Sequence, residues 1–259
     1  MKVTLDISKS LEDNAKMFYE SAKKAKRKLE GVKKAYKKTL EKIETLKEKK
    51  DTYIPEKTKI KQIERKKDWY EKFRWFISSE GFMCIGGRDA TTNDIIVKKY
   101  IEGNDLVFHT DIAGSPFFVI KSEGKEIGQA TINETYEACA SFSRAWKSKV
   151  TTTEVFYVKP DQVTNEGGLP KGTFMIHGKR NYGNPTIQLA LGIYNNRPMC
   201  GPINAIKKNC KDTLYILQGD KKKSDVAKKI KKYYFDKYEI ELELNDILSV
   251  LPPGDCELS

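Results

Sequence analysis

The residues best suited to chemistry fall in four short clusters, most of them where an apolar run gives way to polar sequence. Arg88 and Asp89 follow Gly86-Gly87, and His109 and Asp111 close the run Leu106 to Phe108. Arg144 and Lys147 stand one helical turn apart, and Lys179-Arg180-Asn181-Tyr182 lead into Gly183-Asn184-Pro185. Two kinds of chemistry compete for these groups. Residues two apart on a strand face one side, so His109 and Asp111 can form an orienting pair for proton transfer. Cations beside a tyrosine suit RNA instead, the cations meeting phosphates and the ring stacking on an unpaired base. The pair alone is no mechanism: the chain has no serine nucleophile elbow and no phosphate-cradling glycine loop with its lysine. With two histidines in all, His109 is read as a structural hydrogen-bonding group. Asp89 is read as the cap of the helix that follows it, and Asp111 as a partner for a nearby arginine. The RNA-facing set is then Arg88, Arg144, Lys147, Lys179, Arg180 and Tyr182, with Asp89, His109, Asp111 and Asn181 as structural or RNA-facing polar neighbours. For Arg88 and Arg144 the competing reading is a bridge to buried carboxylates. No catalytic residue, cofactor or metal is expected.

The elements that must position these groups can be read from runs and turns. Phe82 to Ile85 is a short buried strand stopped by Gly86-Gly87, and Thr91 to Tyr100 a helix, which puts Arg88 and Asp89 at a strand-to-helix corner. Leu106 to Phe108 and Phe117 to Ile120 read as strands joined through Gly114-Ser115-Pro116. Asn133 to Trp146 reads as a helix and Val155 to Val158 as a strand ended by Pro160. Phe174 to Ile176 and Gln188 to Ile193 read as strands, with Lys179 to Pro185 between them as a basic, aromatic and exposed hairpin tip. A last unit comprises strand Thr213 to Leu217, helix Lys221 to Tyr238 and strand Tyr238 to Leu244. These elements predict an α+β domain with a mixed, mostly antiparallel sheet and flanking helices.

The amino-terminal part has a different pattern. Leu11, Ala15, Phe18, Ala22, Ala25, Leu29, Val32, Tyr36, Thr39, Ile43 and Leu46 alternate steps of four and three, a heptad seam on a long helix that Asp6, Ser8 or Ser10 could cap. The seam breaks around Asp51 to Pro55. Ile60, Ile63, Tyr70 and Phe73 resume it, so residues 1–74 are expected to form an antiparallel helical hairpin arm and residues 75–259 the globular domain. Residues 1–74 hold 24 Lys and Arg against 13 Asp and Glu, whereas the rest holds 24 against 23, so the net charge of +12 sits almost wholly on the arm. Lys23, Lys24, Lys26 and Lys28 are its densest cluster and join the RNA-binding set, as a polyanion would meet its strongest field there.

Five motifs in order point further: Gly86-Gly87-Arg88-Asp89-Ala90, Phe108 to Gly114 (F-H-T-D-x-x-G), Phe142-Ser143-Arg144-Ala145-Trp146, Val158 to Val163 (V-x-P-x-Q-V) and Phe174 to Tyr182 (F-M-I-x-G-K-R-N-Y). Together they resemble the NFACT-R domain, the RNA-binding module of the NFACT proteins of ribosome-associated quality control, here of the archaeal type. In that family a long coiled coil precedes the module, in the place of Leu11 to Trp69. The resemblance implies a large ribosomal subunit and a tRNA as partners, further quality-control factors meeting the arm, and support for carboxy-terminal tailing of a stalled nascent chain. Where many relatives carry a further histidine, this chain has Ile112-Ala113-Gly114, which leaves no histidine pair to act on a substrate. The family's amino-terminal domain has no counterpart before Met1, which is expected of an excised fragment or a split protein. The alternative is a scaffold or adhesion module that binds proteins through the coiled coil, since some family members carry a fibronectin-binding name.

Composition sets outer bounds. The 259 residues are 39% hydrophobic and 32% charged, enough for one moderate core beside a non-globular part. Apolar runs reach strand length only, so no signal peptide, transmembrane span or membrane partner is expected, and the address is cytoplasmic. The five cysteines, Cys84, Cys139, Cys200, Cys210 and Cys256, include no C-x-x-C pair and suggest neither disulfides nor zinc.

Overall fold

The computed structural model describes residues 5, 6, 8, 10–50, 67–112, 114–165 and 170–259. Two compact units divide between residues 65 and 66. The first contains α1, Leu11–Lys50, one unbroken helix of 40 residues, about 60 Å long at 1.5 Å per residue. Ser10 caps it: the Asp13 amide donates to Ser10 Oγ at 3.1 Å while the Ser10 hydroxyl donates to Asp13 at 2.7 Å. Leu11, Phe18, Leu29, Val32, Tyr36 and Ile43 of the heptad seam are all exposed, as are Lys23, Lys24, Lys26 and Lys28. Ile60 and Ile63, expected on a returning helix, lie outside the described residues. Tyr70 and Phe73, expected on the same returning helix, are not α-helical: Tyr70 lies in a 3-10 turn, Trp69–Lys72, Phe73 follows it, and both pack in the core of the second unit.

In that second unit every strand pairing is antiparallel. β1 (Arg74–Ile77), β2 (Met83–Gly86), β3 (Leu106–His109), β4 (Phe118–Ile120), β5 (Val155–Val158) and β8 (Asn181–Gly183) form a six-stranded sheet in the order β1-β2-β4-β3-β5-β8. β6 (Val163–Thr164) and β7 (Met175–Ile176) form a small ribbon, and β10 (Arg197–Gly201), β9 (Leu189–Tyr194), β11 (Leu214–Gln218) and β12 (Cys256–Leu258) a second sheet in that order. α2 (Ala90–Lys99) follows β2, and α3 (Gln129–Ser141) packs on β3, β4 and β5. α4 (Ile203–Asn209), α5 (Lys223–Tyr238) and α6 (Leu244–Val250) accompany the second sheet.

The central strands are covered on both faces, which is why they read as continuous apolar runs and not as alternations. Phe76, Phe108, Phe118 and Phe156 are all buried to 1% exposure or less, each worth about 1.5–3 kcal/mol. Gly86 faces Phe118 across the β2–β4 pair, and a Cβ there would clash with that ring. The glycine is therefore needed for close packing rather than for a turn.

Three expectations change. α3 starts four residues earlier than the apolar pattern suggested and ends at Ser141, leaving Phe142 to Trp146 in turns. Asn181 to Gly183, expected within an exposed hairpin tip, is the edge strand β8, paired with β5. Tyr238 to Leu244 is no strand. The chain leaves α5 through Glu239 in the left-handed region (φ 54°), runs extended along the surface with Leu242 buried and Glu241 and Glu243 exposed, and enters α6.

Candidate nucleic-acid interface

The strand-to-helix corner after β2 carries the first group of candidates. The Thr92 amide donates to the Asp89 carboxylate at 2.8 Å and the Asp89 amide donates to Thr92 Oγ1 at 2.9 Å, so Asp89 caps α2; the bond from the Thr92 amide, with one from the Thr92 hydroxyl at 2.9 Å, lowers the Asp89 pKa. Asn93, one turn on, donates to the Ser115 carbonyl at 3.2 Å and accepts from the Phe117 amide at 3.1 Å. That buried amide ties α2 to the loop between β3 and β4.

His109 ends β3. Its Nδ1 lies 3.0 Å from the Pro116 carbonyl oxygen and its ring stacks on Phe117 at 4.0 Å. Burial lowers its pKa below the ordinary value, so the ring is held neutral. Asp111 is bonded not to His109 but to Arg180, at 3.1 Å. The two residues thus form no proton-transfer pair: the chain turns after β3 and sends Asp111 across to the segment before β8.

Between the α2 corner, the β3–β4 loop and the turns after α3 lies a cleft of about 460 Å³. Arg74, Arg88, Arg144, Lys147 and Lys171 line it, and its acid, Asp89, is committed to the helix cap. Arg74 is buried, lies 4.4 Å over the Phe142 ring and donates to the Leu251 carbonyl at 3.2 Å. Arg88 donates to the carbonyls of Glu71 at 2.9 Å and Phe73 at 2.8 Å, while its Nε is buried with no partner among the described residues. Lys223, close behind, donates to the Leu251 carbonyl at 3.0 Å. Burial and then repulsion from a neighbouring arginine push Arg74 down to about 10 and Lys223 down to about 8. Arg144 and Lys147 are exposed, and Arg144 lies against Gly114 so closely that a Cβ there would come within 3.0 Å of its Nε.

Among the described residues none of these six cations makes an ion pair. Neither Arg88 nor Arg144 bridges a buried carboxylate. Buried cations normally find acidic partners, and here carbonyl oxygens fix the guanidinium groups without neutralising them. Such a cleft is built to receive anionic oxygens, and arginine forks match a phosphate.

The remaining candidates sit beyond the cleft. Lys179 is exposed. Arg180 is less free than a loop position would make it: besides Asp111, it covers the Phe156 ring at 4.5 Å. Tyr182 is 51% exposed on the edge strand, and the carbonyl of Asn181 accepts from the Tyr136 hydroxyl at 2.9 Å. Arg74, Lys171 and Lys223 were not foreseen. A lone cation between Phe73 and Trp75 is a usable signal for Arg74; the two lysines have none, because distant segments bring them in. Among the described residues no group of His, Cys, Asp and Glu could hold a metal ion, and no described helix is long and apolar enough to cross a membrane.

An antiparallel α+β domain with an uncompensated basic cleft defines an anion-binding class of module, and comparison with known proteins gives the particular family. Residues 72–178 match the family described as the NFACT protein RNA binding domain. The chain belongs to the NFACT family. It is 40% identical to the archaeal Rqc2 homolog aRqcH of Methanocaldococcus jannaschii over 76% of this chain and 30% of that one. It is 36% identical to the ribosome quality control complex subunit NEMF homolog of Drosophila melanogaster over 74% of this chain and 20% of that one. With human ribosome quality control complex subunit NEMF it shares 38% identity over 65% of this chain and 16% of that one. The chain thus spans less than a third of the length of these relatives.

Proposed function

We propose that this chain is the arm and RNA-binding domain of a ribosome-associated quality-control factor. It grips the large ribosomal subunit carrying an obstructed nascent chain, together with a tRNA, and so supports carboxy-terminal tailing of that chain. The observation that carries this reading is the cleft of Arg74, Arg88, Arg144, Lys147 and Lys171, whose cations lack carboxylate partners among the described residues. Its setting within an NFACT RNA-binding domain supports ribosomal RNA or tRNA as the polyanion. The names of the curated relatives support ribosome quality control over the scaffold or adhesion alternative. Residues 1–65 act as a basic coiled-coil arm, supplying long-range attraction through Lys23, Lys24, Lys26 and Lys28 and a seam for further quality-control factors. Residues 66–259, which hold Arg74 and the rest of the cleft, supply the shape-dependent contacts. The role is one of binding with no catalytic step, in the cytoplasm where stalled ribosomes are. Co-sedimentation tests it: the chain should pellet with isolated large subunits at moderate salt, and more so when they hold peptidyl-tRNA. A chain that stays in the supernatant with both kinds of subunit would sink the proposal.

A further inference from the structure

Tyr182 occupies an unusual place for a large aromatic residue. Its neighbours in β8 are used on the α3 side of the sheet: a Cβ on Gly183 would come within 3.0 Å of the Tyr136 ring, and the Asn181 carbonyl takes the Tyr136 hydroxyl. Alternation along a strand then sends Tyr182 to the opposite face. There it is the outermost of three residues in register across neighbouring strands, His109 opposite Phe156 and Phe156 opposite Tyr182. The rings follow the register. His109 and Phe156 are 6.3 Å apart, and Phe156 and Tyr182 5.8 Å apart at 65°, an edge-on contact. Phe156 is buried beneath Arg180, whereas Tyr182 remains 51% exposed at the open edge.

The inner end of this row is the rim of the basic cleft, since His109 lines it. Two strand spacings, about 10 Å, therefore separate the phosphate-binding cleft from the open ring of Tyr182. Arg180 stands between them with its Nη1 on Asp111 and its side chain 30% exposed. The concavity on the α3 side of β8, by contrast, has Glu137 and no lysine or arginine in its lining. The backbone of β8 borders that concavity too, so Tyr182 belongs to its lining, but no cation there could anchor a phosphate. An RNA strand is thereby directed along the face that carries Tyr182.

We infer that Tyr182 is a stacking platform for one unpaired nucleobase of a single-stranded RNA step whose phosphate lies in the Arg74–Arg88–Arg144 cleft. This rests on the RNA-binding reading above and specifies the part of the RNA that the domain takes: a base with no pairing partner, next to an anchored phosphate. A base offers a π face whatever its identity, so the platform selects single strands over duplex without selecting sequence.

The test compares a short single-stranded RNA with an abasic ribose-phosphate oligomer of equal length and charge, using fluorescence anisotropy on the full chain. Wild type should prefer the RNA by about tenfold, within the range for one base stacked on an aromatic residue. Tyr182→Ala should abolish that preference and Tyr182→Phe should keep it. Arg144→Ala with Lys147→Ala should weaken both oligomers equally and leave the ratio intact. If Tyr182→Ala retains the full preference, or wild type has none, the platform is refuted while phosphate binding stands. If neither oligomer binds at low salt, the underlying RNA reading falls with it.

Discussion

Removing the two free cations of the cleft, by Arg144→Ala with Lys147→Ala, should reveal how the domain holds RNA. Neither side chain makes a hydrogen bond or ion pair among the described residues, and both are exposed, so stability should change by no more than about 0.5 kcal/mol. Binding is different. Each cation that meets a phosphate releases counterions and contributes roughly 0.7 to 0.9 to the slope of log K against log salt, so two contacts contribute about 1.6. Over a fourfold rise in salt, from about 50 to about 200 mM, the wild-type chain should therefore lose about ten times more affinity than the double variant. Filter binding with a folded tRNA across that range reads both lines. They should converge as salt rises, the variant starting weaker and falling more gently. Parallel lines would mean that these cations touch no phosphate, and coincident lines that the cleft binds no RNA; either outcome refutes the reasoning.

Two other outcomes follow from the geometry. Because burial depresses the pKa of His109, the unfolded chain binds a proton that the folded chain refuses. The stability this neutral ring permits is present above the unfolded value of about 6.5 and is lost as pH falls from there toward the folded value. Urea midpoints should therefore drop more between pH 7.5 and pH 5 for wild type than for His109→Gln, and an equal drop in both would contradict a buried neutral ring. On the arm, replacing Lys23, Lys24, Lys26 and Lys28 with glutamine should lower the salt slope by about 0.7 to 0.9 for each lysine that meets a phosphate. It should leave the preference for RNA over its abasic counterpart unchanged; a lost preference would place base recognition on the arm.

The parts of the fold that sequence made legible were those governed by local rules. The strand ending at Gly86-Gly87, the Asp89 cap and the run of heptad positions through α1 each depend on residues within one or two turns of one another. β8 was hidden for the opposite reason. Asn181 and Gly183 on either side of Tyr182 are turn formers, and only the free edge of β5 makes the three a strand. Tyr238 to Leu244 misled through its alternation of apolar and acidic residues. That period served to bury Leu242 and half-bury Ile240 along an extended surface segment that has no strand beside it. The cleft was half legible: Arg88 and Arg144 stood out at motif corners, but Arg74, Lys171 and Lys223 converge from segments up to about 150 residues apart. Arg180 was misjudged because loop position says nothing of Asp111, which sits 69 residues earlier and meets it only in the folded chain.

The near balance of charge in the second unit, residues 66–259 with 28 basic against 25 acidic, acquires a meaning once five of those cations are known to share one cleft. The remaining surface must then carry the excess of acid, and the domain behaves as a dipole rather than as a positive sphere. A polyanion far away exerts almost no net pull on such a body. Close by it exerts a torque that turns the cleft inward and the acidic sides out. The domain should accordingly be a poor collector of stray nucleic acid and a good aligner of RNA already brought near, so that capture and orientation are separate operations within one chain.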